Sequence, residues 1–238
     1  MSAPVDGLIT QASSVGVAGT VSGSIPITVT VNGTAVPVTA GSFSATPAVS
    51  EGSNTLTIVA TDSGGRTTTV TRTVVRDSVA PAVAAASPAS GAFLATVRPQ
   101  VRFTFSDPVP SSGLAANSVA LLLDGIDVTA QATIGATDAM FTPAIDLSEG
   151  NHTAQATVTD RAGNSSTASV TFFVDAAAPS LTLSPCGGAT VASGTPTLSA
   201  SYADSGSGID TASVMVTLDG GDVTPSFAAS ATGATFTP

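Results

Sequence analysis

With 238 residues, 42% of them hydrophobic, the chain can bury one to three domain cores, yet only 9% of its residues are charged, far below the usual quarter. The net charge is −10; all six basic residues are Arg (66, 72, 76, 98, 102 and 161), they form no cluster, and Lys is absent. This balance argues against nucleic acid or an anionic membrane as a partner.

The acidic residues are Asp except for Glu51 and Glu149. Asp favours turns and hard-cation sites, and with abundant Thr and Val it describes strands joined by Asp-containing turns. No stretch has helical periodicity. Cys186 stands alone beside Gly187-Gly188, so it reads as a free loop thiol and no disulfide can form within the chain. The segment Met1–Gly7 has no basic or apolar region of a secretory signal, and no run approaches the length that spans a membrane.

In chain order, the first expected strand is Ile25–Val31, running into Asn32-Gly33. Asn-Gly and Asp-Gly between apolar runs are hairpin signals, because the turn needs positive φ at little steric cost. Asn54–Thr61 alternates Leu56, Ile58 and Ala60 with Thr55, Thr57 and Thr61, a strand with one wet face. The turn Asp62–Arg66 leads into a strand over Thr67–Val75, where Arg72 interrupts the regularity, and then to Asp77-Ser-Val-Ala-Pro81.

That junction returns as Asp175-Ala-Ala-Ala-Pro179, an offset of 98 (175 − 77), and Ser50-Glu51-Gly52 returns as Ser148-Glu149-Gly150. A fixed period of this size marks tandem domains. The second copy reads as a strand over Ser118–Leu123 into Asp124-Gly125. A strand follows with Ala154, Ala156 and Val158 opposing Thr153, Gln155 and Thr157, then the turn Asp160–Asn164 and a strand over Ser165–Val174. The third copy repeats Asp107 at Asp204, an offset of 97 (204 − 107), and Asp124-Gly125 at Asp219-Gly220, an offset of 95 (219 − 124). A strand is expected over Ser213–Leu218. Pro238 matches Pro143, so the counterparts of residues 144–174 do not appear in the sequence.

Short strands punctuated by Gly, Pro, Asn and Asp predict an all-β fold: tandem antiparallel β-sandwiches end to end, the third incomplete, with modules at 1–80, 81–178 and 179–238. Each Asp-x-x-x-Pro junction is a short, stiff linker. The third module is expected either to continue in a longer chain or to be completed by a strand from another subunit, with Ser2–Val17 as the candidate donor.

The chain resembles the bacterial immunoglobulin-like repeats of surface adhesins and of accessory domains in secreted glycan-degrading enzymes. The carriers are Val31-Asn-Gly-Thr-Ala-Val36, Glu51-Gly-Ser-Asn-Thr-Leu-Thr57, Thr159-Asp-Arg-Ala-Gly-Asn-Ser165, Ser205-Gly-Ser-Gly-Ile-Asp210 and the two junctions. The resemblance covers nearly the whole chain and implies a scaffold rather than a site.

Catalytic chemistry is hard to find. His152 is the only His and occupies the place of Asn54, which reads as a solvated strand-end residue; Glu51 and Glu149 are one position in two modules, not a glycosidase pair. For a glycan, the stacking candidates reduce to Tyr202, since Trp is absent and Phe103, Phe105, Phe141, Phe172 and Phe236 read as core. Calcium is the sharpest chemical expectation. Glu51, Asp62 and Asp77 recur as Glu149, Asp160 and Asp175, and some related repeats hold calcium at module junctions with acidic residues near the linker. The competing reading makes Asp62 and Asp160 Asx-turns, with Asp77 and Asp175 capping strand ends. The functional expectation is a non-enzymatic stalk or assembly module at the bacterial cell surface. Neighbouring modules, subunits, or a surface glycan or protein would be its partners; a strand-exchanged filament subunit and a glycan-binding accessory domain are the alternatives.

Overall fold

The computed structural model describes residues 1–23 and 26–236. The regular structure of the described residues is almost all strand, with single 3-10 turns at Thr129–Gln131, Thr211–Ser213 and Thr224–Ser226. It divides into two compact units. One comprises Met1–Ser87, Val101–Phe141 and Ala154–Ser169; the other comprises Pro88–Gln100, Thr142–Thr153 and the described residues from Val170 on.

The first copy of the repeat supplies β1 (Leu8–Thr10), β2 (Val17–Thr20), β3 (Ile27–Val31), β4 (Thr34–Val36), β5 (Val38–Thr39), β6 (Ser42–Ala45), β7 (Gly52–Asp62) and β8 (Thr67–Arg76). They form one sheet in the order β1-β8-β7-β3-β4 and a second in the order β2-β6-β5. Residues from both sheets make the core: Val17 and Phe43 from one, Val29, Val31, Leu56, Ile58 and Val74 from the other. The period-two pattern accounts for this directly. Leu56 and Ile58 are 1% and 5% exposed, while the intervening Thr residues face outward.

The second copy adds β9 (Ala82–Ser87), β10 (Ala92–Leu94), β11 (Val101–Ser106), β12 (Ala120–Leu123), β13 (Ile126–Asp127), β14 (Thr133–Ile134), β15 (Asp138–Phe141), β16 (Gly150–Thr159) and β17 (Ser165–Val174). Its sheets run β14-β15-β11-β9 and β10-β17-β16-β12-β13. The third copy has β18 (Ser180–Ser184), β19 (Leu198–Ala203), β20 (Thr217–Leu218), β21 (Gly221–Asp222), β22 (Ala228–Ala229) and β23 (Gly233–Phe236). Its four-stranded sheet, β18-β19-β23-β22, repeats the order β9-β11-β15-β14, and β20-β21 repeats β12-β13.

All three hairpin turns form as the sequence predicts. Asn32 and Gly33, Asp124 and Gly125, and Asp219 and Gly220 each pair a φ near 50° with one near 80°, the double left-handed turn that suits the twist of flanking strands. Four differences stand out. The strand expected over Ser213–Leu218 shrinks to Thr217–Leu218, because the Asp210 carboxylate accepts from the Ala212 amide at 3.0 Å and starts a 3-10 turn instead. The strand expected from Ile25 begins at Ile27; Ile25 and the match of Thr237-Pro238 to Thr142-Pro143 lie outside the described residues.

Ser2–Val17 pairs within its own copy. Ala3 bridges Ala18, β1 pairs with β8, and the Val15 amide donates to the Pro47 carbonyl at 3.1 Å. Finally, two edge strands pair in parallel, β1 with β8 (Leu8 opposite Val74) and β10 with β17 (Ala92 opposite Phe172). The hairpin ladders described, such as β7 with β8 and β11 with β15, are antiparallel.

Candidate functional site

The two repeated junctions are built alike. Past the last strand of each copy, the Asp77 amide donates to the Thr10 carbonyl and the Asp175 amide to the Leu94 carbonyl, both at 2.9 Å. Each carboxylate then accepts one short hydrogen bond from a loop of the following copy: Ser112 N–H to Asp77 and Ser207 N–H to Asp175, both at 2.6 Å. A two-residue length difference between the second and third copies falls in this loop, between Asp107 and Ser112. The short loop brings Gly206 so close to the Asp175 carboxyl group that a side chain there has no room.

At the first junction three carboxylates converge. Asp77, Asp107 and Asp160 each present an oxygen within 4.8 Å of the others. Asp77 and Asp160 are 0% and 2% exposed. Asp160 Oδ1 accepts from the Asn164 amide at 2.8 Å, and its Oδ2 accepts from the Asn164 side chain at 2.6 Å. The same Asn164 amide group donates to the Asp77 main-chain carbonyl at 3.0 Å, so the turn after β16 is tied to the junction. Asp107, one residue past β11, is different. Both its carboxylate oxygens are shut off from solvent and neither receives a hydrogen bond. No ion pair among the described residues involves any of the three.

The electrostatics follow from this layout. Burial, then the charges of Asp77 and Asp160, push the Asp107 carboxyl above its ordinary value; Gly113 and Ser111, nearby but outside hydrogen-bond geometry, only soften the effect. For Asp77, burial also works upward, but Ser112 and the Val79 amide outweigh it and the net shift is downward. At Asp175 the Ser207 side chain and amide hold the carboxyl low. Its Oδ1 is nonetheless buried without a partner.

The structure regroups the expected acidic residues. Of Glu51, Asp62, Asp77, Glu149, Asp160 and Asp175, only Asp77 and Asp160 enter the cluster, and they come from successive copies rather than from one. Asp107 completes it. The signal that could have found it was its recurrence as Asp204, beside a loop that changes length by two residues. Asp204 sits near Asp175, which its side chain helps to hold low, and it accepts from the Gly206 and Gly208 amides at 2.9 Å. Glu51 and Glu149 instead brace the residue after each junction Asp: Glu51 accepts from Ser78 N–H at 2.6 Å and lies 3.3 Å from Arg76, and Glu149 accepts from Ala176 N–H at 3.1 Å.

Asp62 makes an Asx-turn, accepting from the Gly64 and Arg66 amides at 2.9 and 3.0 Å and from the Arg66 side chain at 2.9 Å. Its carboxyl is lowered, chiefly by the Arg66 amide. A depressed folded value means that its stabilisation is present above the ordinary carboxylate range and is lost as pH falls through the folded value. Asp62→Ala should therefore lower the melting temperature at pH 7 and leave it nearly unchanged once Asp62 is protonated in both states. A pH series of melts on parent and variant measures this; an equal deficit at every pH contradicts it.

Two aromatic expectations are corrected. His152 is 6% exposed, not solvated: it shares the inward parity of Ala154, Ala156 and Val158, stacks on Phe172 at 5.7 Å, and its Nε2 lies 2.9 Å from the Ser148 carbonyl. Asn54 makes the matching bond to Ser50, at 2.7 Å, so both residues brace the same turn. Tyr202 is 8% exposed and its hydroxyl donates to the Ser230 carbonyl at 2.8 Å, which leaves no face for a sugar to stack on. Cys186 is exposed and free, as expected.

Residues 1–78 match the family model of domain B of glucodextranase, and residues 96–176 match that of the bacterial Ig-like domain. No curated protein matches the chain. Among solved structures, the fibronectin(III)-like modules of Clostridium thermocellum CbhA are 22% identical, cover 72% of this chain and 90% of their own, and superpose with a TM-score of 0.38. The tetra-tandem repeat from the extending region of a large adhesion protein is 24% identical over 80% of this chain and 52% of its own, with a TM-score of 0.34. Bacteroides ovatus SGBP-B, solved with a mixed-linkage heptasaccharide, is 19% identical over 100% of this chain and 57% of its own, with a TM-score of 0.24. The chain thus spans about half the length of each of the latter two. No helix among the described residues is long and apolar enough to cross a membrane. Residues 96–176 thus match the bacterial immunoglobulin-like domain family, and the strand order β9-β11-β15-β14 of that copy recurs in the third.

Proposed function

We propose that the chain is a non-catalytic spacer module of a bacterial extracellular protein, in which a calcium ion at Asp77, Asp107 and Asp160 fixes the junction between successive copies. The observation that carries this reading is Asp107. A carboxylate with both oxygens buried and unpartnered, between two other carboxylates, is costly unless a cation neutralises the set. Three hard oxygen donors suit calcium, which takes six to eight oxygens and draws readily on main-chain carbonyls.

The three ligands come from the linker, from the loop after β11 and from the turn after β16. An ion there ties one copy's exit to two loops of the next. Hydrogen bonds already link the same pieces, including Gln11 Nε2 to the Ala162 carbonyl at 3.1 Å. A spacer needs such a joint more than it needs a pocket. The match of residues 1–78 to glucodextranase domain B favours one setting for that role, beside a catalytic domain that acts on a glycan.

Calorimetric titration with calcium is the test. Saturable binding at one site, with a rise in melting temperature, is expected. At a hundredfold excess over Kd the gain is about 2.7 kcal/mol, or roughly 11–22 °C for a domain of about 100 residues. An identical melt in chelator and in millimolar calcium removes the cation from the proposal. Small-angle scattering tests the spacer itself, through a monomer whose maximum dimension is the same at all concentrations.

A further inference from the structure

The outer face of the second copy carries a row of side chains that differs in kind from its counterpart in the first. At the parallel edge Phe93 of β10 stands opposite Phe173 of β17, and their ring centroids lie 5.4 Å apart with the planes tilted by 48°. Val170, Phe172 and Val174 point into the core at 2%, 1% and 0% exposure, so Phe173, of the other parity, belongs to the outer face. Phe93 is 60% exposed. In the first copy the same ladder sets Ile9 opposite Val75, both half-buried, and β7 adds Ser53 on the far side of Val75. At the offset of 98 (151 − 53 and 173 − 75), Asn151 of β16 takes the place of Ser53 beside Phe173. The row Ile9, Val75, Ser53 thus becomes Phe93, Phe173, Asn151, and Asn151 is exposed.

The first copy closes this ladder with aliphatic side chains, so the fold does not require the rings. Contact between them limits their rotamers before any ligand arrives, which lowers the cost of binding. Exposed Thr153 and Thr171 share the outward parity of Asn151 and Phe173, so hydroxyl and amide groups border the aromatic pair. Aromatic faces with a few polar groups that fix orientation have the composition of a ligand subsite. Area and charge select the ligand. Two Phe side chains offer at most about 500 Å², whereas a stable protein interface takes about 800 Å² from each partner. The row is too small to hold another protein by itself. It is also uncharged, in a chain of net charge −10 that repels anions and leaves a neutral ligand unopposed.

We propose that Phe93, Phe173 and Asn151 form a subsite for an uncharged polysaccharide whose pyranose rings carry equatorial hydroxyls. Such a ring turns a face of axial C–H bonds outward, and their slightly positive hydrogens suit the negative face of the Phe93 ring. Its rim hydroxyls then meet the Asn151 amide, which both donates and accepts. The row lies on an open sheet face, so a long polymer crosses it without needing a free end. Neither the cation nor the spacer reading is needed for this inference.

The test is native gel electrophoresis of the full chain through hydroxyethyl cellulose, which is neutral, and through carboxymethyl cellulose, the same backbone made anionic. Retardation in the first gel, and much less in the second, is expected. Phe93→Ala, at an exposed position, should keep the parent's melting temperature and weaken binding about tenfold. Asn151→Ala should weaken it less, and Phe93→Tyr, which keeps the ring, should bind as the parent does. Free migration of the parent in both gels, equal retardation in both, or undiminished binding by Phe93→Ala overturns the proposal. So does sedimentation of the parent as a dimer that Phe93→Ala returns to monomer, since a second copy then covers the row.

Discussion

Asp107→Asn should raise the melting temperature in chelator and abolish the calcium response, two opposite effects from one atom exchange. The Asp107 oxygens are buried without donors, and the nearby charges of Asp77 and Asp160 make ionisation there more costly still. Asn keeps the shape, removes the charge and brings two N–H donors toward carboxylate oxygens that can accept them. Relief of a buried polar group without a partner is worth roughly 1–3 kcal/mol. In millimolar calcium the order should reverse, because the variant lacks one of three anionic ligands while the parent gains the binding energy. Melts of both proteins with and without calcium decide the matter. A variant less stable than the parent in chelator means that Asp107 is already satisfied in the free chain, and the cation proposal then loses its main support.

Phe103→Ala should be the most destabilising single change in the second copy, by about 3–5 kcal/mol, a large part of the stability of a typical domain. Phe103 is 0% exposed and central in β11, where it faces Ala139 of β15 and Ala85 of β9. Both cross-strand neighbours are alanine, so they cannot grow into the space that the ring leaves. β11 also leads straight to Asp107, and the variant should bind calcium more weakly than the parent even where it is folded. Denaturant unfolding followed by circular dichroism gives the first effect and calorimetry the second. A loss under 1 kcal/mol would mean that this core closes over the cavity.

What was legible in the sequence was local. Asn32-Gly33, Asp124-Gly125 and Asp219-Gly220 announce their turns because two adjacent residues set the backbone geometry. Leu56 and Ile58, or Ala154 and Val158, announce buried faces because strand period is fixed. Residues that depend on a third element were not legible. Asp77, Asp107 and Asp160 are scattered along the chain, and their convergence follows from the path of the linker past two loops. His152 shows a subtler limit: matching it to Asn54 located the turn that it braces, while its parity with Ala154 is what buries it. β1 and β10 left no trace because three-residue strands are too short to show a period, and parallel pairing carries no hairpin signal.

Those parallel edges have a consequence for a chain under tension. β1 lies near the entrance of the first copy and β8 near its exit, and they run in the same direction. A pull on the two ends therefore slides one strand along the other, and the bonds of the ladder, with that from the Asp77 amide to Thr10, carry the load together in shear. An antiparallel hairpin drawn apart at its open end would instead unzip one bond at a time. The acidic junction thus sits directly behind a shear clamp, so force passed along the chain meets the fold where its bonds share the load.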